Sequence, residues 1–465
     1  MKPGNIPGKD LCALAKIYRH FTGFMISISF LIITAMVFAA GKPALAWEQQ
    51  GSLDQLFASP LAAPVNAAQN TFVFWINGDA DHFVPSSTDS GTSLNVYRGD
   101  KFEVARLEQL AQSCSACNVV ILHDQRGTDH WYSASKPWAV WFQVYSRGRK
   151  LLERHAPEVD ETDPMVLARL LSFSQSSFPQ SELHLIYRGH SFRTPYVPGS
   201  LNILPFDYSN PEHGYSQGVF LRSLQLAHLS KPLGSVNFTS CSMSSFEFAA
   251  KLQKYARFFT ASEVELLEVL SASVHFFDVL TLVNDRMDNR QVSWLLAFGI
   301  PQAFKKLNPA GDAMMEAPST WVDLSGARLL AEQFNILIQA LDNLPQNRRD
   351  FMRGQLEQST RLTKAPSDAE VENLRKQGKT DAQISQFIRL LSQPSPDLND
   401  LDLGLVLLLI GTWDESSELH ELANWLFERA FDYVRVLGGS TAPGSGKLGL
   451  SISYRTEAGA MFDRL

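Results

Sequence analysis

Five short apolar runs, each ending abruptly in polar residues, constrain this chain more than any other feature. They fall at residues 71–76, 118–122, 184–187, 236–238 and 257–260. Runs of this length that are apolar at odd and even positions alike read as strands buried on both faces. Between them lie stretches with apolar residues at helical spacing. These are Phe102, Ala105, Leu107, Leu110 and Ala111; Met165, Leu167, Leu170 and Leu171 after Pro164; Val219, Phe220, Leu224 and Leu226; and Phe246, Phe248, Ala249, Leu252 and Tyr255. Strand and helix alternating over residues 71–265 predict an α/β fold, with a mostly parallel central sheet covered by helices on both faces.

A parallel sheet gathers its strand C-termini at one edge, where open α/β sheets bind ligands. The run 184–187 empties into Arg188-Gly189-His190, and the run 236–238 stops at Thr239-Ser240-Cys241. Helical spacing resumes soon afterwards, so Cys241 is expected near a helix start, where the dipole favours thiolate over thiol. Cys241 has two readings on its own: a reactive thiol, or a small apolar residue inert in the core. His190 supplies a base of suitable pKa, and the two residues meet if their strands are sheet neighbours. Backbone N–H groups at Cys241 and around Gly189 and Ser191 are candidates to stabilise an oxyanion. Together these parts predict acyl transfer through a thioester.

The first 46 residues stand apart. Lys2, Lys9, Lys16 and Arg19 precede an apolar stretch over residues 21–40, and Ala44-Leu45-Ala46 forms a small-x-small site before Trp47. This reads as a secretory signal peptide, with an N-terminal membrane anchor as the other reading; the Ala-x-Ala site favours cleavage and export to the periplasm or beyond. Removing it takes away five Lys/Arg and one Asp and leaves 36 basic and 47 acidic residues, a formal net charge of −11. Such a balance argues against nucleic acid and anionic membrane surfaces as partners. Of four cysteines, Cys12 leaves with the signal, and Cys114 and Cys117 form one C-x-x-C pair, open to a disulfide or to redox chemistry. Cys241 is then an unpaired thiol in an exported protein. A zinc site would need a second such pair. Asp79 and Asp81 before His82 lack the remaining spacing of a calcium loop, so no cofactor or metal is expected.

The other segments read more simply. Residues 47–70 are rich in Ala, Pro, Gln and Ser and suggest a linker. Residues 86–92 read as a polar loop, 138–145 as one strand of a hairpin, and 202–213 as a long loop. Gly214-Tyr-Ser-Gln-Gly218 matches the G-x-S-x-G of serine hydrolases, but no strand run precedes it, so Ser216 reads as a helix N-cap. Beyond residue 311 the pattern turns helical, with helices expected over 324–344, 346–362, 368–392 and 416–437 and a late strand over 448–454. Residues 403–410 read as a buried strand or helix segment. The glycine-rich stretch 438–446 is no phosphate cradle, because its Gly-Lys is followed by Leu448.

The order strand–His190, about fifty residues, strand–Cys241 resembles the caspase/hemoglobinase-type cysteine peptidases, and within them the clostripain family. Phe72-Val-Phe-Trp-Ile-Asn-Gly-Asp-Ala-Asp81 is similar to that family's opening strand and Ala-Asp-Asn loop. Cys241-Ser-Met-Ser-Ser-Phe-Glu247 resembles its Cys-x-Met-x-x-x-Glu, and Thr260-Ala-Ser-Glu263 its following Ala-Ser-Glu. Asp323-Leu-Ser325, Asp400-Leu-Asp-Leu403 and Gly449-Leu-Ser-Ile-Ser453 are similar to its C-terminal motifs. The resemblance implies a caspase-like three-layer sandwich over residues 71–310 and a helical C-terminal region over 311–465, its late strand packed on the catalytic domain. It also implies endopeptidase activity on a polypeptide substrate, with Cys241 and His190 as dyad. The chain departs from the family in two places. Gly189 precedes His190 and Ser191 follows it, where the family shows His-Gly. Thr239 stands where the family carries the Asp that helps select Arg or Lys, leaving Glu263, Glu265 and Asp79 as acidic candidates for the pocket beside Thr239 itself. The competing expectation is a binding module that kept the fold and lost catalysis.

Overall fold

The computed structural model describes residues 51–61, 67–78, 82–88, 91–97, 99–125, 140–156, 159–189, 203–206, 214–240, 243–262, 276–307, 319–351, 400–402, 406–407, 410–411, 418–437 and 451–453. In chain order the strands are β1 (Asn70–Gly78), β2 (His82–Thr88), β3 (Gly91–Tyr97), β4 (Cys117–Gln125), β5 (Val140–Ser146), β6 (Arg149–Ala156), β7 (Glu182–Arg188), β8 (Ile203–Phe206), β9 (Gly214–Ser216), β10 (Leu233–Phe238), β11 (Ala256–Ala261), β12 (Ser319–Asp323), β13 (Asp400–Asp402), β14 (Val434–Leu437) and β15 (Ser451–Ser453). Helices include α1 (Gly99–Ser113), α2 (Pro164–Ser177), α3 (Gln217–Leu226), α4 (Phe246–Leu252), α5 (Asn289–Leu307), α6 (Ala327–Asp342) and α7 (Glu418–Tyr433).

Nine strands form one sheet in the order β14-β12-β11-β10-β7-β1-β4-β5-β6. The five central strands, β11-β10-β7-β1-β4, are mutually parallel, and the flanking strands are antiparallel. The expected three-layer architecture follows from side-chain alternation. Val73, Trp75, Val120 and Leu122 enter one core with α2, α3, α4, α6 and α7. Phe72, Phe74, Ile76, Val119 and Ile121 enter a second core on the opposite face with α1 and α5. Each such fully buried aliphatic or aromatic side chain contributes about 1.5–3 kcal/mol relative to exposure. Trp75, at the centre of β1, packs edge-on against Tyr187 and Tyr215 and donates its indole N–H to buried Glu161 at 2.6 Å. Among the described residues no helix is long and apolar enough to cross a membrane.

Local sequence sets the element ends. Asp163 caps α2 by accepting from Met165 N at 2.8 Å, with Pro164 opening the helix. The β5–β6 hairpin turns at Arg147 (φ 47°) and Gly148 (φ 80°), the two positive dihedrals a two-residue turn needs. A Cβ at Gly148 would also lie 2.4 Å from the Gln112 carbonyl oxygen. The outer strand β6 carries Arg149, Lys150, Glu153, Arg154 and His155, a charged run that discourages further strand pairing. The opposite outer strand, β14, has only four residues and an exposed Arg435.

Several expectations are corrected. Within the stretch read as a linker, residues 51–56 are helical, and Leu53, Leu56 and Phe57 are buried in the first core. Phe57 meets Phe142 edge-on with centroids 5.0 Å apart. Residues 82–88 and 91–97, read partly as a loop, form the antiparallel pair β2–β3. The C-terminal region is not helical alone: β12 and β14 extend the central sheet. The helix expected through Leu437 stops at Tyr433, because β-branched Val434 and Val436 pair with β12 instead. Residues 406–407 and 410–411 are helical, settling the strand-or-helix alternative there, and Val406, Leu407 and Ile410 are buried. The late strand is present as β15, paired with β13. The signal segment, the helix expected over 368–392 and the glycine-rich stretch 438–446 lie outside the described residues.

Candidate active site

The parallel strands place the ends of β11, β10, β7, β1 and β4 along one edge. At its centre, β7 and β10 are direct neighbours, with Tyr187 opposite Phe238. The ladder runs one residue further: Thr239 N donates to the Tyr187 carbonyl at 3.0 Å, and the Thr239 hydroxyl donates to the same oxygen at 3.0 Å. Arg188 Nη1 returns a hydrogen bond to the Thr239 carbonyl at 3.3 Å. Gly189 and Ser240 are therefore adjacent strand-end positions, and the chain leaves them for His190 and Cys241 respectively. His190, Ser191, Cys241, Asp79, Glu263 and Glu265 lie outside the described residues. Gly189 and Thr239 are the two predicted site positions within them.

Thr239 is buried, and its hydroxyl is spent on tying β10 to β7. Gly189 is buried against an edge that leaves no room for a side chain. A Cβ there would lie 2.2 Å from Tyr187 Oη and 3.0 Å from Asn77 Cβ. Continuing the β1–β7 register by one residue and the β7–β10 register by two aligns Asn77 of β1, Gly189 and Ser240 in a row across three strands. Asn77 and Ser240 are each 2% exposed, and neither side chain has a hydrogen-bond partner among the described residues. Ser319, which opens β12 next to the end of β11, is likewise buried with its hydroxyl unpartnered. Buried polar groups are nearly always paired, so orphans gathered at one edge mark it as functionally distinct. Sequence reading missed this row: Asn77 looked like the first residue of a polar loop, yet it sits inside β1.

The helix after Cys241 begins at Phe246, the first of the residues read as helically spaced. This helix, α4, is capped by Ser245, which accepts from Phe248 N at 3.3 Å. Cys241 thus lies outside the first turn, where the dipole's influence falls off.

Two competing motifs find structural uses. Ser216 caps α3 by accepting from Val219 N at 3.3 Å. Cys114, just past the end of α1, and Cys117, opening β4, are joined in a disulfide. Among the described residues no group of three or more His, Cys, Asp or Glu side chains is placed to hold a metal ion.

No protein-family model matches the chain, and no curated protein does. Solved structures match. One is a secreted C11 cysteine protease from Bacteroides thetaiotaomicron in complex with an irreversible peptide inhibitor, 12% identical, covering 85% of this chain and 95% of that one with a TM-score of 0.50. Another is an inactive zymogen C11 protease from Parabacteroides distasonis, 13% identical, covering 85% and 94% with a TM-score of 0.46. With its mixed, mostly parallel sheet between helical layers, the chain has the caspase-like α/β fold of the C11, or clostripain-family, cysteine proteases.

Proposed function

We propose that the chain is an exported cysteine endopeptidase, with Cys241 as nucleophile and His190 as general base. The observation that carries this reading is the adjacency of β7 and β10, which brings Gly189 and Ser240 side by side immediately before the two residues. In the proposed reaction His190 takes the Cys241 proton, and the thiolate attacks the substrate carbonyl carbon. Backbone N–H groups near Gly189, Ser191 and Cys241 receive the oxyanion. Its collapse forms a thioester and expels the amine, which takes the proton from His190. Water, deprotonated by the same imidazole, then hydrolyses the thioester. The peptide inhibitor bound by the Bacteroides structure supports a polypeptide substrate. The Ala44-Leu45-Ala46 site supports export.

Because the Thr239 side chain is buried and engaged, it offers no charge to a substrate, and a preference for basic residues would have to come from Asp79, Glu263 or Glu265. This same feature favours the second reading, a binding protein that kept the fold without catalysis. Iodoacetamide labelling of the secreted chain separates the two. A peptidase shows rapid alkylation of Cys241 at neutral pH, suppressed in His190→Ala, and cleaves labelled denatured casein unless Cys241 is replaced by Ala. An unreactive Cys241 with no casein cleavage establishes the binding protein.

A further inference from the structure

Helix α1 enters the second core with three described side chains, Leu107, Leu110 and Ala111, whereas α5 brings Val292, Leu296, Ile300 and Ala303. Three further ties hold α1 to its neighbours. Arg106 pairs with Asp278, in the short 3-10 helix Phe277–Leu282, at 2.6 Å. Glu108 accepts a hydrogen bond from Gln143 of β5. The third tie is covalent: Cys114, just past the end of α1, is bonded to Cys117, the first residue of β4. Partly exposed ion pairs contribute little, so the covalent tie carries more of the anchoring than its neighbours do.

The surroundings of the disulfide are built up from several elements. Cys114 and Cys117 are 5% and 1% exposed and pack in the same core as Leu110 and Val119. Arg147, at the β5–β6 turn, donates from its backbone N–H to the Cys117 carbonyl at 3.0 Å and from Nη1 to the Ser115 carbonyl at 2.8 Å. The same guanidinium pairs with Asp285, ahead of α5, at 3.1 Å. One covalent bond thus sits where α1, β4, the β5–β6 turn and the approach to α5 converge. The pair follows a helix instead of opening one, so no helix N-terminus lowers either thiol's pKa, and both sulfurs are buried. Such a bond is suited to holding structure and not to passing electrons to other proteins.

We propose that Cys114–Cys117 is a redox latch: reduced thiols leave α1 loosely docked on the sheet, and closing the bond in an oxidising compartment fastens it. The latch stands whether or not Cys241 is a nucleophile. From the sequence it takes the expectation of export, because disulfides persist outside the reducing cytoplasm. Closure is a thiol–disulfide exchange with a protein disulfide as oxidant. One cysteine thiolate attacks that disulfide to give a mixed disulfide, and the second thiolate then displaces the oxidant's sulfur. The oxidant leaves as a dithiol, having taken the two electrons and the two protons.

The test is hydrogen exchange followed by mass spectrometry on the secreted chain and on Cys114→Ala/Cys117→Ala, with a melting temperature for each. Amides over residues 107–113 are expected to exchange about 10–30-fold faster in the double variant, while those of α2 and α3 on the opposite face change by less than about twofold. The melting temperature is expected to fall by a few degrees. In the denatured secreted chain both cysteines should resist iodoacetamide until a reductant is added. Labelling before reduction overturns the proposal, because the bond is then absent. So does unchanged exchange over 107–113, and so does an equal rise in α2 and α3, which marks a general crosslink in place of a latch on α1. Should the double variant fail to fold, the secreted chain reduced fully with tris(2-carboxyethyl)phosphine gives the same comparison, and unaltered α1 exchange there refutes the latch.

Discussion

At the amino end of the parallel sheet, the Asn118 side chain has five polar atoms within hydrogen-bonding reach. It accepts from Ala68 N and Ser146 Oγ and donates towards Ala68 O, Thr71 Oγ1 and Ser181 Oγ. Nearby, His184 is bonded at both ring nitrogens, to Ser235 at 2.9 Å and Asn70 at 3.2 Å. Burial pushes the Glu182 carboxyl pKa up, but hydrogen bonds from Asn289 and Lys231 and the charges of Lys231 and Arg257 outweigh it and hold the group below its usual range. At the carboxyl end, Asn77, Ser240 and Ser319 are as deeply buried and yet unpartnered among the described residues. Among the described residues, Asn289 Oδ1 and Gln175 Nε2 at the amino end are also unpartnered, but each of these side chains makes a hydrogen bond through its other polar atom. One end of the sheet spends its polar groups on stability; the other holds them in reserve, as a site does that must bind or position something.

Changing Asn118 to Ala should give the largest effect. Ala68 N, Ser146 Oγ and Thr71 Oγ1 lose a partner in a buried setting, while Ser181 Oγ and the Ala68 carbonyl keep each other, and stability in urea should fall by about 3–5 kcal/mol. Cys241 alkylation in the remaining folded fraction should be unchanged. A loss of under 1 kcal/mol would show that the amino end is not the anchor.

The pH dependence of stability comes next. Burial pushes the His184 pKa down to about 3 from an ordinary 6.5. A histidine held neutral contributes stability that is fully present above about pH 6.5 and is lost as pH falls from there towards 3, at about 1.4 kcal/mol per pH unit. Urea melts between pH 7 and 4 should show this slope, and His184→Gln should flatten it.

Gly189→Ala sharpens the comparison from the other end. The added methyl meets the Tyr187 ring and the Asn77 stem, so about 1–3 kcal/mol of overpacking is expected. Adding Tyr187→Phe, which removes the nearest atom, should recover part of it in a thermal melt.

The smallest effect is the most diagnostic. Ser235→Ala breaks bonds to His184 and Asn237 and should destabilise by about 1–2 kcal/mol. Ser240→Ala removes an unpartnered hydroxyl and should be neutral or stabilising by up to about 1 kcal/mol. Equal losses at the two positions would erase the distinction between the ends.

The sequence displayed the parallel strands well because each is buried on both faces and so reads as an apolar run. It also displayed the Ser216 cap, whose chemistry is local. It hid β6, because an outer strand bearing Arg149, Lys150, Glu153 and Arg154 carries little apolar signal. It hid β2 and β3, where Ser, Thr and Gly mimic a loop, and it hid Leu53, Leu56 and Phe57 within an Ala- and Pro-rich stretch. Strand order is not a local property: nothing in residues 184–189 or 233–240 states that they lie side by side. Asn77 was missed for the same reason, since only the neighbouring strands make an asparagine at a strand end a buried one.

The outer strands described above have a consequence for access. With charged β6 on one side and four-residue β14 on the other, neither flank of the sheet invites another backbone to lengthen it. A further backbone therefore finds no ready docking edge on either side, and growth of the sheet by a tenth strand is disfavoured.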